Sequence, residues 1–133
     1  MSSFPGSGWD TNDAWVLPDE LRMLAESGDA AVVREVISVF QSDTAKRLER
    51  IREALASGNM LQVKLEAHAV KGSAGQVGAA SLSAICRRIE AESATAGREQ
   101  LERLLRDAET FLSLAETALG VEVQSPLPLR PAG

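Results

Sequence analysis

Residues 30–57 read AAVVREVISVFQSDTAKRLERIREALAS, and Val33, Val36, Ile37, Phe40, Thr44, Leu48, Ile51 and Leu55 recur along them at helical spacing. Apolar residues three and four apart share one face of an α-helix, whereas a half-buried strand would alternate every second residue. Asp29 stands before the stretch as a candidate N-cap, and Gly58 follows it where a helix C-terminus favours glycine. A helix of about 30–57 is therefore expected, and it sets the class of the whole chain.

Working outward, the same period repeats. Asn59 is placed to cap a helix of about 60–77. Gly78 separates this from one of about 79–95. Gly97 precedes a segment of about 98–119 carrying Leu101, Leu104, Leu105, Ala108, Phe111, Leu112, Ala115 and Leu119, and Gly120 closes it. Upstream, a short helix of about 18–27 is expected, with Pro18 at its first turn and Gly28 at its end. The five prolines all lie outside the span from Asp19 to Ser125, which leaves that span free to be helical. Four substantial helices with short connections must run antiparallel to their neighbours. The expected fold is all-α: an up-and-down antiparallel four-helix bundle over residues 17–120, with a short additional N-terminal helix. Residues 1–16 are expected to form a mobile N-terminal segment, and 121–133 a flexible C-terminal tail. Within the former, Trp15 and Val16, with Leu17, are placed to pack the lead-in to the first helix onto the bundle.

Composition narrows the function. With 133 residues, 44% of them hydrophobic and 25% charged, the chain suits one folded domain rather than two or a disordered segment. A formal net charge of −5, with no clustered Lys and Arg, argues against nucleic acid as the main partner. No apolar run approaches the roughly 20 residues that span a bilayer, and residues 1–10 lack the features of a signal peptide. The single cysteine, Cys86, shares an apolar stripe with Leu82, Ile85 and Ile89, as a buried structural thiol would. A cytoplasmic protein is expected.

The third segment carries an anomaly. Val63, Ala67, Val70, Ala74 and Val77 make its core face, and His68, the only histidine, falls off that face. Around His68 lie Lys64, Lys71, Gly72 and Gly75, with Leu61 and Leu65 a little further round. A glycine inside a helix costs about 0.5–1 kcal/mol relative to alanine. Two beside an exposed histidine make sense if another surface must come close to the backbone there.

Ala67-His68-Ala69-Val70-Lys71-Gly72-Ser73-Ala74, followed by Val77-Gly78-Ala79 and then Leu82, Cys86, Ile89 and Glu90, resembles the signature of histidine phosphotransfer (HPt) domains. The resemblance implies that His68 is phosphorylated by a receiver-domain aspartate and passes the group to another receiver in a multistep phosphorelay. It implies that Lys71 offsets phosphate charge and that Gly72 is kept small for the receiver's approach. It also implies that Glu90, on the next helix, hydrogen-bonds the imidazole. Lys64, Gly75 and Gln76 complete the expected surroundings. Leu61 and Leu65, with Leu21, Met23 and Leu24 of the first helix, are candidates for receiver docking, although Leu61 and Leu65 would also serve as core. Nothing resembles an ATP-binding domain, so a phosphoryl carrier rather than an autonomous kinase is expected. No intrinsic cofactor is implied, the receiver supplying Mg. The expected partner is a receiver domain of a response regulator or hybrid kinase, and the expected state a monomer. The competing reading is a non-phosphorylated adaptor of the same fold that docks a receiver or kinase. A carboxylate-type metal bundle is disfavoured, since it needs Glu-x-x-His pairs and Leu65 stands three residues before the one histidine.

Overall fold

The computed structural model describes residues 17–124, with side chains described through 113; the expectations for residues 1–16 and 125–133 lie outside these. Five α-helices follow one another: α1 (Asp19–Leu24), α2 (Ala30–Ser57), α3 (Met60–Gln76), α4 (Ala80–Glu92) and α5 (Arg98–Gln124). Among the described residues there is no strand. Packing runs in a closed ring, α2 on α3, α3 on α4, α4 on α5 and α5 back on α2, while α1 leans on α2. This is the up-and-down bundle with one short helix appended.

Local chemistry explains most of the boundaries. Asn59 caps α3 through its side chain, which accepts a hydrogen bond from the Gln62 amide at 3.1 Å. Gly58 ends α2 with φ 76° and Gly78 turns the chain between α3 and α4 with φ 85°, both in the left-handed region that side chains avoid. The short α3–α4 connection places these helices side by side, which the site depends on.

Several boundaries differ from the sequence expectation, and α4 ends at Glu92, short of the expected residue 95. The first helix stops at Leu24 and passes into a wide turn, Ala25–Asp29, in which Gly28 has φ 105°. Asp29 makes no capping bond to α2. Its backbone, at φ −100° and ψ 33°, is not in the extended conformation that aims a capping side chain at the first turn. At the other end α5 continues to Gln124, so residues 121–124 belong to the helix and not to a tail. Gly120 does not stop it. The next breaker is Pro126, whose ring disfavours helix at the residue before it.

The core follows the expected stripes. Val33, Ile37, Phe40, Leu48, Ile51 and Leu55 of α2 are buried against Val63, Ala67, Val70 and Ala74 of α3 and the leucines of α5. Cys86 is fully buried beside Ile85 and Ile89, and desolvation pushes its thiol up to about 12, so it stays a protonated packing group. Val36, counted with the stripe in sequence, is 37% exposed at its edge. No helix among the described residues is long and apolar enough to cross a membrane.

Candidate functional site

Ala67 and Val70 point into the core, so the intervening turn of α3 carries His68 to the outside, where its side chain is 64% exposed. α4 supplies the partner. Glu90 Oε2 lies 2.8 Å from His68 Nδ1, and Glu90 Oε1 accepts a hydrogen bond from Lys71 Nζ at 2.8 Å. One carboxylate thus joins an imidazole and an ammonium from successive turns of α3.

The charge state of Glu90 fixes the rest. The hydrogen bond from Lys71 holds its carboxyl below the ordinary glutamate value of 4.5; partial burial opposes this, and the bond to His68 adds to the lowering. An ionised carboxylate can only accept. Nδ1 must therefore carry a proton, and in the neutral ring Nε2 keeps its lone pair. Nε2 makes no hydrogen bond among the described residues and faces outward on an exposed ring. In its neutral form the ring is thus held in one tautomer, with Nε2 turned toward solvent and a cation one turn away.

The two helical glycines, Gly72 and Gly75, are exposed on the same side of α3 as His68. A methyl group built on Gly72 would meet nothing within 4 Å, and one on Gly75 only Ser83 Oγ at 3.7 Å. Nothing inside the bundle requires either glycine. Ser83 donates from its hydroxyl to the Lys71 carbonyl at 2.9 Å, tying the last turns of α3 to α4. Between these helices runs an open groove of about 450 Å³ lined by Lys71, Gly75, Gly78, Ser83 and Arg87.

The other sequence candidates are placed variously. Lys64 is exposed and makes no ion pair among the described residues, and Gln76 is exposed at the end of α3. Leu61 and Leu65 are 66% and 56% exposed, which settles them as surface rather than core. Leu24 is 40% exposed, whereas Leu21 is partly buried and packs on the core. The reason is the period of α1: Leu21 lies on the same side as Ala25, which is fully buried. Met23, 67% exposed, stands beside Leu24.

Two features escaped the sequence reading. Arg87, one turn before Glu90, borders the α3–α4 groove. Glu66 is buried at the α2–α3 contact, bonded to Arg47 Nη1 at 2.9 Å and to Gln62 Nε2 at 2.6 Å, with Arg50 Nη1 at 3.9 Å. Its position between Val63 and Val70, one turn from each, was the signal: a charged residue on a core stripe needs a partner. No group of three His, Cys, Asp or Glu side chains is gathered for a metal ion among the described residues.

The site is thus an exposed histidine held by a carboxylate from the adjacent helix of a four-helix bundle. The family model of the Hpt domain matches residues 35–118, and the chain belongs to this family. Its fold is similar to the crystal structure of histidine-containing phosphotransfer protein B from Pseudomonas aeruginosa PAO1, with a TM-score of 0.71 and 20% sequence identity over 81% of this chain and 94% of that one. No curated protein matches significantly.

Proposed function

We propose that this protein takes a phosphoryl group on His68 Nε2 from the phosphoaspartate of one receiver domain and gives it to the aspartate of another. The observation that carries the reading is the Glu90–His68 bond, which leaves Nε2 as the exposed nucleophile. In the forward step the Nε2 lone pair attacks phosphorus, a P–N bond forms, and the P–O bond to the receiver's aspartate breaks with its electrons leaving on the carboxylate. No proton has to move. The ring gains positive charge, and Glu90 stabilises it through Nδ1–H. Lys71, already poised one turn away, offsets the charge on the phosphoryl oxygens. Phosphoryl transfer is largely positioning and charge stabilisation, so a surface of this simplicity suffices once a receiver docks. The divalent cation comes with the receiver, and Leu61, Leu65, Leu24 and the gap at Gly72 form the approach.

The test is phosphoryl uptake from a small panel of phosphorylated receivers, comparing wild type with His68→Gln. Acid-labile, base-stable label on the wild type alone is the expected result. Binding to a receiver without label on either protein would favour the adaptor, and would overturn the carrier.

A further inference from the structure

α4 carries one cation that the resting site does not use. Ser83, Arg87 and Glu90 stand at helical spacing and share one stripe of that helix. Both ends of the stripe touch the same residue of α3: Ser83 donates to the Lys71 carbonyl, and Glu90 accepts from the Lys71 ammonium. Arg87, between them, therefore lies alongside Lys71, and both line the α3–α4 groove. Its neighbour Arg88 is committed to Glu92 at 2.9 Å, whereas Arg87 is exposed and makes no ion pair among the described residues. Residues three apart on a helix have Cβ atoms about 5–6 Å from one another, so the Arg87 guanidinium can reach the Glu90 carboxylate.

The need for it arises once His68 is phosphorylated, so the inference rests on the phosphotransfer reading. At rest the charges of Glu90 and Lys71 cancel. A phosphoryl group on Nε2 brings about two negative charges to the same place. The Lys71 ammonium has protons enough to touch both anions, but its single charge cannot balance a carboxylate and a phosphoryl group together. Glu90 loses most by the competition, since the bond from Lys71 is the chief cause holding its carboxyl down. We propose that Arg87 is a positioning residue: as the phosphoryl group draws Lys71 outward, the Arg87 guanidinium takes over Glu90 Oε1 and keeps Oε2 aimed at His68 Nδ1. The carboxylate then stays on the ring through both halves of the transfer, and Lys71 is released to the phosphoryl oxygens.

The test can load His68 without a receiver, using phosphoramidate: Nε2 attacks phosphorus, the bond to the amide nitrogen breaks, and ammonia leaves with that electron pair. On the full chain, exchange of the Arg87 Nε proton with water, read by nitrogen NMR, should slow several-fold when His68 is phosphorylated. Glu90→Gln should abolish the slowing, because a neutral amide holds a guanidinium less tightly than a carboxylate does. Arg87→Gln should slow phosphoryl transfer to a receiver several-fold, and Arg87→Lys should restore most of it. Arg106→Gln, the same loss of charge on exposed α5, should leave transfer unchanged. Exchange untouched by phosphorylation, or transfer at the wild-type rate in Arg87→Gln, would overturn the proposal. So would slowing that survives Glu90→Gln, since the guanidinium would then sit on the phosphoryl group. No phosphohistidine on the wild type from phosphoramidate or from any receiver would sink the carrier reading itself, and this inference with it.

Discussion

Glu66 and Glu90 are two carboxylates serving the same helix from opposite sides. Glu66 leaves α3 toward α2 and meets Arg47 and Arg50, with Gln62 of its own helix closing the shell. Glu90 reaches α3 from α4 and meets His68 and Lys71. Their side chains are 9% and 20% exposed, a small difference. The chemistry of the partners separates them. Arginine is a permanent donor with no acceptor, and Asp43 together with Glu66 holds Arg47 still more firmly protonated than usual. Everything in that cluster is satisfied, and it fixes how α3 sits on α2. Imidazole has two nitrogens, so satisfying one defines the other as an unsatisfied nucleophile. The two carboxylates are told apart by what their partners have left over.

The sharpest way to break this comparison is Glu66→Ala. Removing the acceptor strands Arg47 and Gln62 at a helix contact and should cost about 2 kcal/mol of stability, read by urea denaturation. The His68 ring signals should nonetheless stay those of the Nδ1–H tautomer. Glu90→Ala should do the reverse. Stability should fall by less than about 1 kcal/mol, since its ion pairs are partly exposed. The ring nitrogen shifts should move toward a mixture of tautomers, and phosphoryl transfer should slow by about tenfold or more, as when an orienting partner is removed from a working histidine. If both variants changed stability and tautomer alike, the distinction would collapse.

Lys71→Met tests the charge balance of Glu90. Its folded carboxyl titrates below 4.5, so the Glu90 interaction contributes stability in full above that value and loses it as pH falls through the lower, folded value. Without the ammonium the carboxyl titration, followed by side-chain carbon NMR, should shift upward toward 4.5. A titration left where it was would assign the lowering to His68 instead. Arg52→Ala, which removes the exposed pair with Glu109 across α2 and α5, should change stability least, by about 0.5 kcal/mol. A larger loss there would show that the α2–α5 contact relies on charge more than its buried leucines imply.

Much of this was legible in the sequence, and the exceptions have physical causes. The bounds of α2, the Asn59 cap and the core stripes follow from periodicity and capping, which are local. Residues His68, Lys71, Gly72 and Glu90 were named together because a family signature runs through them, and the structure brings the three side chains into contact. The kink at Gly28 and the idle Asp29 depend on how α1 leans on α2, a tertiary matter. Leu21 and Leu24 differ by three positions yet part ways, because so short a helix leaves its facing to its neighbours. Glu66 was missed since its arginines lie on another helix, 16 and 19 positions earlier in the chain.

Gly72 and Gly75 have a consequence for anyone who would improve this protein. Alanine at either position fits the bundle without collision and should firm α3 by about 0.5–1 kcal/mol. Selection for heat resistance would therefore find these positions early and fill them. On the proposed reading each gain would fall on the receiver's side of the helix, so a library ranked by melting temperature alone would drift toward sturdy bundles that transfer more slowly.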